Sequence, residues 1–307
     1  MDAQVFRMIA AITGANGFIG SHLSRTFAQR GWEVRKVVRA DFERGELDRL
    51  LSATDVVIHA AGATRAPTVR GLEASNVDLT RAVMHAAERA NVSRVVYVSS
   101  QAAAGPAPYR DKPIDETSPP APIDAYGRTK LAAERVVREF ARVQSVIVRP
   151  AAVYGPGDRD FKVGFDLARQ GIAIHAGNRA QWISIVHVDD LVDGIERAAT
   201  NPNAVGQTFF FANDDPIQWG ALFERAARAA GRSLLADVEV PRPLVSLGAA
   251  FGDVAARVTG YASLLTSEKV RLSHPAFWIC SSERAKRELG WLPRVSLEAG
   301  LRALMSS

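Results

Sequence analysis

The chain has 307 residues, of which 47% are hydrophobic and 23% are charged, a globular composition that suits one large α/β domain or a core domain with a smaller companion. Its net charge of +5 is spread along the chain without a basic block, which argues against a nucleic-acid partner and favours anionic small molecules or plain solvation. The single cysteine, Cys280, can form no disulfide within the chain and suits a reducing compartment.

Neither a signal peptide nor a membrane span is predicted. The stretch MDAQVFRMIAAITGANG has no basic region ahead of its apolar run, which leads directly into glycines and is typical of a strand. The most apolar later segment, 243–260, is interrupted by Asp253 and Arg257. We therefore expect a soluble, cytoplasmic protein without a membrane partner.

Short β-branched runs alternate with helical patterns over the first half of the chain. Strands are predicted over 8–14, 33–38, 55–62, 93–100 and 144–150, and helices over 18–31, 45–53, 76–90 and 126–141. Apolar runs such as VVYV indicate strands that are buried on both faces of a sheet. The fold class predicted is α/β, with a doubly wound parallel sheet covered by helices.

Three glycines stand where the first strand ends and the first helix begins. The stretch TGANGFIG contains Gly14, Gly17 and Gly20. A pyrophosphate can approach a backbone closely only where no Cβ stands in the way, and the helix N-terminus then offers free N–H groups to the anion. Because a strand precedes the motif and a helix follows it, the pattern favours a Rossmann-type dinucleotide site over a turn with packing glycines.

The organisation after Gly155 is less regular. A strand and then a helix are predicted over 183–199, another strand over 207–212, and mostly helices beyond. We expect a dinucleotide-binding domain over 1–155, to which about 183–212 returns. A smaller, mostly helical substrate domain is expected from 156–182 and 213–307.

A tyrosine stands one helical turn ahead of a lysine in the stretch DAYGRTKLAAE. Tyr126 and Lys130 are four residues apart, so both lie on the same face of the predicted helix. Alone, this is an ordinary surface pair, and Ser100 at the end of its strand could simply cap a turn. The meaning of the three residues depends on the rest of the chain.

Several motifs occur in order at regular intervals. They are TGANGFIG, HAAG ending at Gly62, NV at Asn76, YVSS ending at Ser100, YGRTK, VRPAAVYGPGD, IVHVDDL and SSERAKRELGWLPRVSLEAGL. Together they resemble the extended short-chain dehydrogenase/reductase family over nearly the whole chain. The resemblance implies an NAD(P)-dependent oxidoreductase.

The resemblance also assigns roles to residues. Tyr126 would be the acid/base; Lys130 would lower the pKa of its phenol, ordinarily about 10, and hold the nicotinamide ribose. Ser100 would hydrogen-bond the substrate oxygen; its rival Ser99 should point to the opposite face of the strand. The cofactor-binding residues implied are Gly14, Asn16, Gly17, Phe18, Ile19, Ala60, Ala61, Gly62, Ser99, Tyr126, Lys130, Pro150 and Val153.

Other polar residues are interpreted as structural. His59 is expected to be a packed residue, and Asn76 either contacts backbone near the cofactor or caps a helix. His187 precedes Asp189 and Asp190, which are expected to cap a helix because one histidine and two acids make a poor metal site. No metal is predicted.

The end of the second strand bears on the choice of nicotinamide. Arg39 stands where NAD-selective members usually carry an acid, and an arginine suits a 2′-phosphate, so NADP is favoured over NAD. Asp41 keeps NAD open because it could reach the ribose. Between Arg39 and the next strand there is room for one helix only. We therefore predict that the usual third strand is missing and that Asp41 and Phe42 supply the adenine contacts.

The substrate is inferred mainly by exclusion. Dehydratases carry an acid just after the catalytic hydroxyl, where this chain has Gln101. Nucleotide-sugar epimerases commonly have an asparagine before YGP and an arginine ahead of HV, where this chain has Ala151, Ala152 and Ile183. Residues that suit an apolar ligand, or that form ordinary core, are Phe161, Phe165, Trp182, Phe251, Tyr261 and the segment 243–260.

Three functions remain: a reductase or dehydrogenase of ketones and alcohols, similar to dihydroflavonol reductases and hydroxysteroid dehydrogenases; an NAD-dependent nucleotide-sugar epimerase; and a non-enzymatic dinucleotide sensor. The intact Ser100, Tyr126 and Lys130 argue against a sensor. A homodimer is expected by analogy, through the helices at 78–90 and 126–141, whose outer faces should carry alanine and valine.

Overall fold

A computed structural model describes residues 7–259 and 267–306. Strands and helices alternate up to Pro150. They are β1 (Ile9–Thr13), α1 (Phe18–Gln29), β2 (Glu33–Val37), α2 (Arg39–Glu43), α3 (Leu47–Leu51), β3 (Val56–His59), α4 (Val69–Glu73), α5 (Leu79–Arg89), β4 (Arg94–Val98), α6 (Ala125–Glu139) and β5 (Ser145–Pro150).

The second half contains shorter strands and most of the remaining helices. They are β6 (Ala152–Tyr154), α7 (Lys162–Arg169), β7 (Ile172–His175), β8 (Trp182–Ile183), β9 (Ile185–His187), α8 (Val188–Thr200), β10 (Thr208–Phe211), β11 (Ile217–Gln218), α9 (Trp219–Ala229), β12 (Ala236–Glu239), α10 (Arg242–Thr259), α11 (Ser267–Leu272), β13 (Phe277–Trp278), α12 (Glu283–Leu289) and α13 (Leu297–Met305).

Six strands form one parallel sheet in the order β10-β5-β4-β3-β1-β2. Alternate residues of β1 face two different cores: Ala10 and Ile12 enter one cluster, and Ala11 enters the other. Helices cover both clusters, which is why the strands read as continuous apolar runs. The predicted α/β fold with a doubly wound parallel sheet is confirmed.

The strand β2 forms one edge of this sheet. After β2 the chain passes through α2 and α3 and re-enters on the other side of β1 as β3. No further strand pairs with β2 within the described ranges, so the prediction of a missing third strand is confirmed. Arg35 of β2 donates to the Leu50 carbonyl at 3.4 Å, and charged side chains on an edge strand discourage pairing with another chain.

Two local predictions need correction. Between β2 and β3 there are two short helices rather than one, and Arg39, Asp41 and Phe42 lie in the first of them. The segment predicted as one helix over 76–90 begins as a π-helical turn over 74–78 and continues as α5. Single-turn helices carry too short a periodic pattern for sequence reasoning to find.

The expected outer faces of the dimer helices are also corrected. Most valines and alanines of α5 and α6 pack into the core on one face of the sheet rather than facing outwards, although Ala82 is exposed. The buried ones are Val83, Ala86, Ala87, Ala133, Val136 and Val137. The exposed side chains on these helices include Arg81, His85, Arg135 and Arg138. The two helices therefore turn a mainly polar surface outwards.

The strand β10 brings the chain back to the large sheet beside β5, while β6 pairs with β9 in a separate two-stranded sheet. A third cluster, distinct from the two under the large sheet, is built by α7, α9 and α13 and includes Phe165, Leu222 and Leu301. Among the described helices, none is both long enough and apolar enough to cross a membrane.

Candidate active site

The turn between β1 and α1 can be built only from glycine at two positions. Gly14 has a φ of +69°, and a Cβ there would lie 2.8 Å from the backbone of Ala61. A Cβ at Gly20 would lie 2.1 Å from the carbonyl oxygen of Gly14. The N–H of Gly17 donates to that same carbonyl at 2.8 Å and closes the turn. The turn therefore packs closely against itself and against the end of β3, which only glycine permits at these two positions.

The first turn of α1 is open to an anion. Gly17 is the N-cap and supplies no side-chain cap, and no acidic residue occupies the first turn. Asn16 is exposed, while Phe18 and Ile19 are half-buried, the latter against the core of the sheet. Free N–H groups together with the positive end of the helix dipole favour a phosphate at this point.

The three residues predicted to face the adenine end behave differently. Arg39 is exposed at the first position of α2. Asp41 is buried, accepts the Val38 N–H at 2.7 Å and pairs with Arg44 at 2.8 Å. These contacts, the Val38 bond first, hold the pKa of the Asp41 carboxyl below its usual range. Phe42 packs against the core. Contact of Asp41 or Phe42 with a cofactor would have to replace these interactions.

The end of β3 forms the second wall. The Ala61 N–H donates to the Thr13 hydroxyl at 3.1 Å, and Ala60 packs against the core. A Cβ at Gly62 would lie 2.8 Å from Asn76 Oδ1 and 3.7 Å from Lys130 Nζ. Gly62 therefore lies beside Lys130, and glycine is required there by the space available.

His59 is a packed residue, as interpreted from the sequence. It is fully buried, with Nδ1 2.7 Å from the Thr13 hydroxyl and Nε2 3.0 Å from the Thr80 hydroxyl. Burial, and secondarily the charge of Lys130, lowers its pKa to about 3. A neutral imidazole thus connects β1, β3 and α5.

Asn76 contacts backbone and does not cap a helix. Its Oδ1 accepts the Ala63 N–H at 2.9 Å and its Nδ2 donates to the Ala63 carbonyl at 3.0 Å. The same Nδ2 donates to the Thr129 hydroxyl of α6 at 2.9 Å. The first of the two alternatives is confirmed, and Asn76 ties the chain after β3 to the helix that carries Tyr126 and Lys130.

The two serines at the end of β4 point in opposite directions, as strand alternation predicts. The Ser99 hydroxyl is buried and donates to Glu134 at 2.6 Å. Because Glu134 takes up the Ser99 hydroxyl, only the backbone of Ser99 could contact a cofactor. Ser100 is half-buried, and its hydroxyl faces the phenol of Tyr126. The geometry therefore brings together Ser100 and Tyr126, with Ser99 on the other side of the strand.

Tyr126 and Lys130 project from the first turns of α6. Asp124 is the N-cap of this helix and accepts the Gly127 N–H at 3.0 Å, which fixes where the helix begins. Lys130 is buried; its Nζ donates to the Val98 carbonyl at 2.7 Å and lies 4.5 Å from the centre of the Tyr97 ring. The ammonium is thus held at the carboxyl end of β4.

Lys130 is not among the groups that shift the pKa of Tyr126. Burial raises the pKa of the Tyr126 phenol to about 12, against the opposing hydrogen bond from Ser100, with Asp124 and Asp160 adding to the rise. Lys130 is itself affected: burial lowers its pKa to about 7, against the opposing charge of Glu134. Helical spacing predicts that two side chains share a face but not whether their charged ends meet.

The remaining predicted residues lie at the end of β5 or beyond it along the chain. Pro150 is buried at the end of β5, and Val153 in β6 packs against the core. His187 is the N-cap of α8 and accepts the Asp189 N–H at 3.3 Å. Asp190 accepts two N–H groups from the C-terminal segment, at Arg294 and Val295. Across the described part of the chain, no group of three or more metal-ligating side chains comes together.

A cavity of about 1280 Å³ opens beside Ser100 and Tyr126. Its walls are mainly apolar and come from both halves of the chain. They include Val69, Leu72, Phe161, Val163, Leu167, Ile174, Ile183, Trp219, Phe223, Val270, Leu272 and Trp278. Polar groups are fewer; Arg65 and Asp160 form an ion pair of 3.0 Å at the wall. Such a lining is typical of a site for an apolar molecule with a polar reacting end.

Most of the aromatic residues proposed for this cavity lie elsewhere. Phe161 lines it, but Phe165 packs behind Phe161, with ring centres 5.5 Å apart. The Trp182 ring lies under the guanidinium of Arg110 at 3.7 Å, and Phe251 is exposed on α10. Tyr261 falls outside the described residues. Composition alone cannot tell which side of an element an aromatic ring will occupy.

Three aromatic residues of the cavity were missed from the sequence. Trp219 and Phe223 lie one turn apart on α9, and Trp278 is in β13. The four-residue spacing of Trp219 and Phe223 was a usable signal, because it places both rings on one face of a helix. Trp278 offered none, since its position depends on the pairing of β13 with β8.

Comparison with known proteins agrees with this architecture. The NAD dependent epimerase/dehydratase family matches residues 10–210. The chain is 30% identical to a ceramide reductase of Caulobacter vibrioides over 294 residues, covering 90% of this chain and 87% of that protein. It is 27% identical to a sterol-4-alpha-carboxylate 3-dehydrogenase of Saccharomyces cerevisiae over 340 residues, covering 94% and 95% of the two chains.

A solved structure shows the same fold. It is a UDP-glucose 4-epimerase of Thermotoga maritima, with a TM-score of 0.80, 21% identity and coverage of 97% of this chain and 98% of that chain. Relatives that are reductases, dehydrogenases and epimerases indicate that this chain is an NAD(P)-dependent enzyme with oxidoreductase chemistry. The family match covers well over half of the sequence, and the chain belongs to the NAD dependent epimerase/dehydratase family.

Proposed function

We propose that the protein reduces an apolar ketone, or oxidises the corresponding alcohol, with NADP as cofactor and Ser100, Tyr126 and Lys130 as its catalytic residues. The observation that carries the proposal is the position of the Ser100–Tyr126 pair in the wall of a large, mainly apolar cavity. A reducible carbonyl would meet the two hydroxyls, and its hydrocarbon part would fill the space beyond them.

The residues present fit a dinucleotide. Gly14 and Gly20 allow a tight turn beside β3 that a Cβ would disrupt, and the uncapped start of α1 next to this turn suits a pyrophosphate. Gly62 would border the nicotinamide ribose, where Lys130 lies close by. When bound, the reduced nicotinamide supplies the hydride. We retain the domain division given above, with the dinucleotide held by 1–155.

The two hydroxyls would divide the work at the carbonyl oxygen. Ser100 would donate a hydrogen bond to it, and Tyr126 would give it a proton as negative charge develops there. With its pKa raised to about 12, the Tyr126 phenol is protonated at neutral pH, which is the form that reduction requires. Lys130 would hold the ribose through its ammonium.

Two relatives carry names that agree with an apolar substrate. A ceramide reductase and a sterol-4-alpha-carboxylate 3-dehydrogenase are named for lipid substrates. The apolar cavity of this chain supports the same class, a ketone with a long hydrocarbon part. Reduction of such ketones, followed as the loss of NADPH absorbance, is the direct test of the proposed function.

Chain length should control the rate. For a series of ketones that differ by one methylene, we expect kcat/KM to rise about fourfold per methylene, because each buried CH₂ contributes about 0.8 kcal/mol. The rise should stop when the cavity is full. Steady-state kinetics over the series measures it, and a flat series would contradict an apolar substrate.

Two variants test whether the rise of kcat/KM with chain length depends on the cavity. Val163 lines the cavity and is 58% exposed, so Val163→Asp adds a charge there at little cost in stability. We expect this variant to reduce the rise to less than about twofold per methylene. Val238 is 50% exposed and does not line the cavity, so Val238→Asp should leave the series unchanged.

The preference for NADP rests on Arg39. Its exposed position at the start of α2 suits a 2′-phosphate, so Arg39→Ala should raise the KM for NADPH about 10- to 100-fold and that for NADH less than about twofold. Arg49→Ala in α3 removes an equal charge nearby and is the control. An equal effect of Arg39→Ala on both cofactors would show that this arginine does not select between them.

A nucleotide-sugar epimerase is the alternative, on the same fold. An epimerase returns its hydride in each turnover and need not release its cofactor. Freshly purified protein should therefore be denatured and the released nicotinamide identified by mass spectrometry. Near-stoichiometric NAD would favour the epimerase, whereas an empty protein or partial NADP would favour the reductase.

A cytoplasmic location and a homodimer are part of the proposal. The burial of most α5 and α6 valines and alanines weakens one argument for that dimer interface, and the family analogy remains. Gel filtration with light scattering decides the oligomeric state.

A further inference from the structure

Helix α6 meets the end of β4 through three contacts in succession. The helix contributes Tyr126, Lys130 and Glu134, each one turn after the other. The strand end contributes Ser100 to Tyr126, the carbonyl of Val98 to Lys130 and the hydroxyl of Ser99 to Glu134. Since residues four apart share one helix face, the three contacts fix the register of the helix against the strand.

Glu134 is the anchor at the inner end of this series. Its side chain is fully buried and accepts two hydrogen bonds from the Arg149 guanidinium of β5, at 2.8 and 2.7 Å. It also accepts the Ser99 hydroxyl at 2.6 Å. A buried carboxylate with such partners is strongly oriented, because each of its oxygens meets a donor that is itself held in place. Arg138 of the same helix lies 3.5 Å from this carboxylate as well. Glu134 thus holds α6, β4 and β5 together.

Its second effect is electrostatic. Lys130 lies one turn before Glu134, and burial lowers the pKa of the lysine to about 7 against the opposing charge of Glu134. Around Lys130 lie the titratable groups of His59, Tyr97, Glu134 and, one helical turn away, Tyr126. The Glu134 carboxylate in turn pairs with the guanidinium groups of Arg149 and Arg138. The imidazole of His59 is neutral at physiological pH, and burial holds the pKa of Tyr97 well above its ordinary value, so Tyr97 also stays neutral. Glu134 is therefore the group of this set that favours the ammonium.

We propose that Glu134 is a positioning residue for catalysis, which turns Ser100 towards Tyr126 through Ser99 and places a carboxylate one helical turn from Lys130. This inference rests on the proposed function, in which Ser100, Tyr126 and Lys130 act on the substrate and cofactor. Glu134 itself contacts neither reacting atom. It acts through the two neighbours that do.

The test compares the pH dependence of kcat in three variants. Loss of the carboxylate charge in Glu134→Gln should move the basic limb of the profile about one unit lower, because Lys130 then loses its proton at lower pH. Glu139→Gln makes the same change at an exposed position on the same helix, where Glu139 pairs with Arg81, and should leave the limb in place. If the basic limb of the kcat profile of Glu134→Gln lay at the same pH as that of the unchanged protein, the electrostatic role would be overturned.

Ser99→Ala isolates the positioning role. It removes the hydroxyl contact and keeps the charge and the Arg149 pair, so kcat should fall about tenfold with the basic limb unmoved. An unchanged kcat would overturn this role. Should Glu134→Gln fail to fold, Ser99→Ala still decides, because it leaves no buried charge unpaired.

A second readout does not depend on activity. The pH dependence of Lys130 acylation, measured by competitive labelling and peptide mass spectrometry, follows the lysine directly. Glu134→Gln should shift this dependence about one unit lower. If no ketone is reduced but the labelling shifts, the proposed function fails while the effect of Glu134 on Lys130 stands. If ketones are reduced and the labelling does not shift, the inference on Lys130 fails alone.

Discussion

Replacement of Tyr126 by phenylalanine is expected to lower kcat for ketone reduction about 1000-fold while the Kd for NADPH stays the same. The change removes the only atom of the side chain that can give up a proton and leaves the ring in place. Ser100 and Lys130 keep their other contacts, to the Ala102 N–H and the Val98 carbonyl, so the fold and the cofactor site should survive. Stopped-flow single turnovers with NADPH and a cofactor titration measure the two quantities.

A surface tyrosine gives the matched control. Tyr109 is 64% exposed and lies outside the cavity, so Tyr109→Phe should have the activity of the unchanged protein. If Tyr126→Phe kept full activity with normal cofactor affinity, neither the reductase nor the epimerase could use this residue as the acid/base. The Ser100, Tyr126 and Lys130 assignment would then be wrong.

The sheet was predictable because its strands are buried on both faces. Continuous apolar runs with β-branched residues, such as the one in β4, have no other stable place in a chain of this composition. The missing third strand was predictable by length alone, since the segment after Arg39 cannot hold a helix, a strand and another helix. The glycine turn was predictable because a tight turn leaves no room for a Cβ, as is the case at Gly14 and Gly20.

Side-chain directions after the strands were not predictable in the same way. Asp41 was predicted to supply adenine contacts together with Phe42, and nothing in the sequence indicated that its carboxylate would also accept the Val38 N–H and pair with Arg44. The valines of α6 were expected outside, yet α6 packs on the sheet with that face. In both cases a tertiary contact decides among positions that the local pattern allows equally. The opposite serines at the end of β4 were predictable, because strand alternation is a local rule.

The charges of the site also divide into what local spacing predicts and what only the folded chain decides. Spacing along α6 placed Tyr126 and Lys130 on one face, but their proton affinities depend on burial, which is a property of the folded chain. Burial moves the two pKa values in opposite directions, because it disfavours a phenolate and an ammonium alike. A phenol is protonated at neutral pH with or without this shift, so the form that reduction requires does not depend on burial.

Replacement of Gly14 by alanine should have the largest effect on both stability and cofactor affinity. A Cβ at Gly14 would lie 2.8 Å from backbone atoms of Ala61, and the φ of +69° is unfavourable for any residue with a Cβ. We expect the free energy of unfolding to fall by about 3 kcal/mol and the Kd for NADPH to rise at least about 100-fold. Urea unfolding and a fluorescence titration with NADPH measure these two effects.

A second glycine, Gly206, separates the cost of the positive φ from the cost of the clash with Ala61. It has a φ of +76°, close to that of Gly14, but a Cβ there would meet nothing within 4 Å. Gly206→Ala should therefore cost only the backbone strain, about 1 kcal/mol, and leave cofactor affinity unchanged. The difference between the two losses in unfolding free energy measures the cost of crowding a Cβ at position 14 against Ala61. If both lost the same stability, strain would explain everything, and the close approach of β3 to the glycine turn would have no part in shaping the cofactor site.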